Sequence, residues 1–219
     1  MQRKILFVHG FGVMKDSRGM FTELADVFRE HGVTSILIDL NEKHEEGNIY
    51  VNSLSEQARI LTETYEREHS DGSMVDIVCH SQGCVVATLA HIPAIRTTIF
   101  LAPPIENNPE RTIAYFSRNP ESVVDINGVS RFARKDGTST FVPARYWEDR
   151  ARIDYQALYK EYISSHETTV VIARNDEVVS NETAEEVFGS SNIVLLSADH
   201  NFTGTAREEL RSLVLTILK

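Results

Sequence analysis

The chain contains no run of the roughly 20 apolar residues that a helix needs to cross a bilayer, so membrane insertion is not expected. It has only two cysteines in 219 residues, Cys79 and Cys84. Two are too few for a disulfide-stapled scaffold. They flank a tight turn that a bridge between them would have to span, so they read as small, buried, reduced side chains. Positive charge is also scarce: 22 Lys and Arg face 32 Asp and Glu, a net charge of -10. That balance argues against nucleic acid or an anionic membrane surface as a partner. Met1-Gln2-Arg3-Lys4 passes at once into a short apolar run, so no signal peptide is expected, and with reduced cysteines the expected location is cytoplasmic. His31, His44, His69, His91 and His166 show no metal-ligand spacing, and nothing pairs with the cysteines as a zinc site requires. No metal or cofactor is expected.

What is present fits one globular domain with an insertion: 42% hydrophobic and 25% charged residues in a chain long enough for one sizeable core. Six apolar runs, starting near Lys4, Val33, Met74, Thr97, Thr168 and Asn192, alternate with helical patterns. Residues 16–31 place Met20, Phe21, Leu24, Ala25 and Phe28 on one face. Ser53-Leu54-Ser55-Glu56 reads as a capping box ahead of the stripe Leu54, Ala58, Leu61, Tyr65. Thr205-Ala206-Arg207-Glu208 reads as another, ahead of Leu210, Leu213, Val214, Ile217 and Leu218. Strands separated by helices imply an α/β fold with a mainly parallel, six-stranded sheet flanked by helices.

Residues 104–165 break the pattern. Five of the six prolines lie between 103 and 143, aromatics are dense, and periodicity is poor. A structureless loop of that length does not suit a compact domain. The segment is read as a small inserted cap, with 1–103 and 166–219 forming the core. Within it, residues 127–142 suggest a hairpin turning at Lys135-Asp136-Gly137, and residues 146–163 suggest one helix.

The most informative stretch is Cys79-His80-Ser81-Gln82-Gly83, with an apolar run before it and a helix-like run after it. A serine on a tight strand-to-helix turn projects its hydroxyl away from the backbone, over a helix N-terminus that favours developing negative charge. Three other segments lie just past strand ends: His9-Gly10-Phe11-Gly12, Arg174-Asn175-Asp176-Glu177 and Ser197-Ala198-Asp199-His200. In an open parallel sheet these ends form the crevice where ligands bind. A serine hydroxyl is a poor nucleophile at neutral pH and needs a base within reach. An imidazole such as that of His200 titrates in the right range.

Together with Leu101-Ala102-Pro103, Asn175-Asp176-Glu177-Val178-Val179 and Ala198-Asp199-His200-Asn201-Phe202, these motifs resemble the α/β-hydrolase superfamily. Within it the chain is similar to small bacterial carboxylesterases of the cinnamoyl/feruloyl-esterase type. It departs from their pattern at Cys79 and Cys84, where glycine is common, and in residues 40–47, which lack a Gly-His-Gly-X-Ser segment. The resemblance implies a serine hydrolase that forms an acyl-enzyme on small to medium acyl or aryl esters. Ser81 is the nucleophile, His200 the base and Asp176 the acid that orients it, in preference to Glu177 or Asp199. The backbone N–H groups of Phe11 and Gln82 form the oxyanion hole. Phe11, Tyr146 and Trp147 are expected to touch substrate, His9 to brace the oxyanion loop, and His80 to pack beside the nucleophile. A thioesterase, a monoacylglycerol lipase, an amidase or a non-catalytic ligand-binding member of the fold fits the same motifs. The partner is a small-molecule ester, and the sequence leaves the oligomeric state open.

Overall fold

The computed structural model describes residues 2–219. The six apolar runs form one all-parallel sheet from β1 (Arg3–Val8), β2 (Thr34–Ile38), β5 (Met74–His80), β6 (Thr98–Leu101), β9 (Thr168–Ala173) and β10 (Ile193–Leu196), in the order β10-β9-β6-β5-β1-β2. Alternate side chains serve opposite faces, as a twofold strand period requires. Leu6, Val8, Ile77, Cys79, Val170 and Ile172 join one core layer, and Ile5, Phe7, Val78, Val171 and Ala173 the other. The first layer is covered by α2 (Leu54–His69) and α3 (Gln82–Leu89), the second by α1 (Met20–Glu30) and α8 (Thr205–Ile217). Among the described residues no helix is long and apolar enough to cross a membrane.

The helix ends follow local chemistry. Ser53 accepts a hydrogen bond from the Glu56 N–H, as its capping pattern predicts. The Thr205 box does not form: Thr205 is already helical, and Gly204, at φ 63°, precedes it with no side-chain cap. α1 starts at Met20, the first residue of its apolar stripe, four residues after the start of the segment 16–31. Ser17, Arg18 and Gly19 all have positive φ, a left-handed stretch that a right-handed helix does not propagate through.

Residues 104–165 do not form one cap. β7 (Val129–Ala133) and β8 (Ser139–Pro143) make the predicted hairpin, and β8 pairs in parallel with β4 (Ile49–Tyr50). With β3 (Glu42–Lys43) they complete a second, four-stranded sheet, so residues 42–50 and 129–143 build one structure. The single helix expected over 146–163 is two, α5 (Ala144–Ala151) and α6 (Tyr155–Ser165), because Asp154 caps the second through the Ala157 N–H. Both belong to the core layer. α5 packs on α2 and α6 on α3, the Tyr159 ring lies 5.5 Å from Phe100, and the Tyr162 hydroxyl is 2.8 Å from Thr98 Oγ1. A parallel connection from β6 to β9 needs such a crossover helix. The excursion is therefore confined to residues 104–143, with α4 (Pro109–Phe116) at its start.

Gly83 fixes how closely α3 approaches β1. A Cβ there would sit 2.2 Å from the Val8 carbonyl oxygen and 2.7 Å from that of His9, both backbone atoms that cannot swing aside. Gly83→Ala is expected to cost about 3 kcal/mol or more, read as a lowered urea midpoint. A variant as stable as the parent would mean that the helix and strand can separate without penalty.

Candidate active site

The turn at Ser81 is strained in the way its position demands. Ser81 has φ 54° and ψ −128°, a conformation that L-residues avoid and that surrounding structure must enforce. Its N–H donates to the Leu101 carbonyl at 2.8 Å, and the Cys84 N–H donates to the Ser81 carbonyl at 2.9 Å. Cys79, where glycine is usual, is wholly buried between β1 and β6 and its small side chain is accommodated.

Three side chains from distant positions meet above this turn. His200 Nε2 lies 2.9 Å from Ser81 Oγ, and His200 Nδ1 lies 2.7 Å from Asp176 Oδ2. The other Asp176 oxygen accepts from the N–H groups of Val178 and Val179 at 2.8 and 2.9 Å, which locks the carboxylate in a fully buried position. Glu177 takes a different part, accepting from the His200 backbone N–H at 3.3 Å. Asp199 faces away, its carboxylate held by the Thr203 N–H and hydroxyl.

Two buried histidines frame the array. His9 Nε2 accepts from the Leu40 N–H at 2.9 Å, so its proton sits on Nδ1 and is donated to the Gly10 carbonyl. Burial lowers its pKa, and the neutral ring holds the loop at residues 9–12. Arg134 clamps the far side of that loop by donating to the Gly12 carbonyl at 2.6 Å. His80 Nε2 donates to the His200 carbonyl at 2.9 Å, tethering the backbone that carries the His200 ring.

Burial, with repulsion from His200 next, lowers the pKa of His80 to about 3. The unfolded imidazole takes a proton below its ordinary 6.5, whereas the native one stays neutral until about 3. Stability therefore falls as pH drops through that window, by up to about 1.4 kcal/mol per pH unit. Urea unfolding at pH 7 and pH 5.5 should show a smaller loss for His80→Gln than for the parent. Equal losses would contradict it. His9 acts with the same sign, so the variant keeps a shallower slope.

Ser81 and His200 open onto a cavity of about 80 Å³, lined also by Gly10, Phe11, Gln82, Phe116 and Tyr146. The Phe11 N–H makes no hydrogen bond to the protein among the described residues. That of Gln82, the first residue of α3, has no acceptor within its helix. The Gln82 side chain is fixed by a buried relay: the Tyr146 hydroxyl donates to it, it donates to Gln57 at 3.1 Å, and Gln57 donates to the Asn52 carbonyl at 2.7 Å. Phe11 contributes a ring that meets Phe116 at 4.9 Å and Tyr146 at 5.3 Å. Trp147 does not line the cavity. It is buried in the core cluster and packs edge-on against Tyr146. Sequence reasoning missed Arg134, Gln57, Phe116 and Arg150. Only for Phe116 was there a signal, the dense aromatics between positions 103 and 165.

This sheet order with this loop and turn is the α/β-hydrolase fold, and solved structures agree across nearly the whole chain. A metagenome-derived lipolytic enzyme matches with a TM-score of 0.69 at 16% identity, covering 99% of this chain and 93% of its own. An esterase of Pyrococcus furiosus matches at 0.70 and 16%, covering 99% and 81%. Polyneuridine aldehyde esterase matches at 0.65 and 14%, covering 100% of both chains. At such identities the likeness is one of fold. Residues 4–195 match the model of the palmitoyl protein thioesterase family, and the chain belongs to that family of hydrolases. No curated protein sequence matches it.

Proposed function

We propose that the protein is a serine hydrolase that cleaves short-chain carboxylic esters through an acyl-enzyme. The observation that carries this reading is the continuous line from Asp176 through His200 to Ser81, with hydrogen-bond distances of 2.7 and 2.9 Å. His200 Nε2 takes the Ser81 proton as Oγ attacks the carbonyl carbon, and Asp176 stabilises the imidazolium. The oxyanion is bound by the N–H groups of Phe11 and Gln82. The bond to the leaving oxygen then breaks, and His200 returns the proton to the departing alcohol. Water, deprotonated in turn by His200, attacks the acyl-serine. The acid is released and Ser81 recovers its proton.

Cavity size favours short acyl groups, since about 80 Å³ is well below the ~300–1,000 Å³ of typical small-molecule sites. A second reading, cleavage of thioesters, draws on the family match. The chemistry is the same, with a thiol leaving in place of an alcohol. The test is turnover of acetyl, butyryl, hexanoyl and hydroxycinnamoyl esters beside acetyl and butyryl thioesters, with labelling by a fluorophosphonate probe. Turnover is expected to peak at two to four acyl carbons. Absence of both turnover and labelling would refute the reading, and higher kcat/KM on the thioesters would select the second one.

A further inference from the structure

The wall of the cavity carries two arginines, Arg18 and Arg150, and no aspartate or glutamate. This is unexpected in a protein with a net charge of -10. Arg150 is the more telling of the two. It sits on α5 with only 5% of its surface exposed. Its Nε donates to Asn107 Oδ1 at 2.9 Å, and the Asn107 amide returns a bond to the Arg150 carbonyl at 2.6 Å. Among the described residues the guanidinium makes no ion pair, and besides Asn107 its polar contact is the neutral Tyr146 hydroxyl. The acid next to it in sequence, Asp149, is turned to Ser55 and Arg145. The faces around Arg150 hold the Tyr146 hydroxyl, pledged to Gln82, and the Tyr155 ring, 5.9 Å from the guanidinium carbon.

A buried cation is costly unless it is paired. A guanidinium offers a planar fork of donors matched to a carboxylate. Arg18, exposed and also without a protein partner among the described residues, extends the positive wall outward from the left-handed turn at residues 17–19.

We propose that Arg150, aided by Arg18, seats a carboxylate of the substrate, so that the preferred substrates are esters or thioesters carrying a second, ionised acid group. The inference rests on the serine-hydrolase reading and sharpens it: the site selects by charge as well as by acyl length. Arg150 is then a specificity residue that touches substrate at a point away from the scissile bond. A site built around an unpaired donor fork discriminates strongly against an analogue that leaves it empty.

The test uses matched ester pairs at pH 7. Monomethyl glutarate against methyl valerate places the carboxylate on the acyl side, and 4-acetoxybenzoate against phenyl acetate places it on the leaving group. The parent protein is expected to favour the charged member of one pair by about 100-fold in kcat/KM, and the pair that responds tells which side of the scissile bond faces Arg150. Arg150→Met should bring that ratio to near one, and Arg150→Lys should keep part of it. Circular dichroism confirms that each variant is folded, and the parent ratios decide the matter even if Arg150→Met is not. Neutral esters turned over with no preference for either charged partner would overturn the inference and leave the hydrolase reading standing. So would an Arg150→Met protein that melts lower but keeps the preference, since Arg150 would then only tie α5 to Asn107. No turnover of any ester, with Ser81 unlabelled, would remove the underlying reading and this inference with it.

Discussion

Ser81→Ala is expected to reduce kcat/KM on p-nitrophenyl butyrate by at least about 10⁴-fold. In the proposed mechanism the hydroxyl is the group that attacks, and the adjacent cysteines do not replace it: they are buried with their thiol pKa values pushed well up by desolvation. Alanine keeps the left-handed backbone at φ 54° as strained as serine does, so the fold and the oxyanion donors should be unchanged. A small residual rate above the uncatalysed reaction is therefore expected from the N–H groups of Phe11 and Gln82. Steady-state kinetics on the purified variant, with fluorophosphonate labelling alongside, provide the measurement. Retention of a tenth of the parent activity would show that another group carries the reaction.

Asp176→Asn should be almost as severe, at about 10⁴-fold in kcat, although it changes one atom. Asp176 Oδ1 accepts from the Val178 and Val179 N–H groups. An asparagine must keep its oxygen there, so its NH₂ faces His200 Nδ1. That nitrogen then has to accept, the imidazole proton moves to Nε2, and the ring presents N–H instead of a lone pair to Ser81 Oγ. The base is lost through its tautomer while the geometry survives. A ¹⁵N spectrum of the imidazole reports the tautomer directly. Asp199→Asn, beside the base in sequence but bound to Thr203, should change kcat less than tenfold. If the two substitutions were equally damaging, the assignment of Asp176 would be wrong.

The family and the cavity pull in different directions on substrate. The family is one of palmitoyl protein thioesterases, whereas the space beside Ser81 is small and its wall bears arginines. The rings of Phe11, Phe116 and Tyr146 narrow that space, and Phe116 belongs to α4, on the excursion between β6 and the second sheet. The acyl-chain panel decides which of the two the protein follows.

Some of this was legible before folding because it is written in short-range chemistry. Strand alternation, the stripe of α2, the Ser53 cap and the turn at Ser81 each depend on residues a few positions apart. The excursion was harder. Tyr155, Tyr159 and Tyr162 look like a lid in sequence, because aromatic residues near prolines suit either a cap or a core. Only the need for a crossover helix between β6 and β9 makes them core. The Thr205 box failed because a positive φ at Gly204 decided how the chain entered α8.

From its sequence alone the chain determined an alternating α/β architecture and placed Ser81, Asp176 and His200 at the ends of three strands. These follow from local patterns of burial and turn chemistry, which need no knowledge of distant contacts. Tertiary structure decided which acid reaches the imidazole, which aromatics face the cavity, and that Arg150 stands there without a counter-ion. Those outcomes depend on where side chains from residues 10 to 200 come to rest against one another, and no spacing along the chain encodes that.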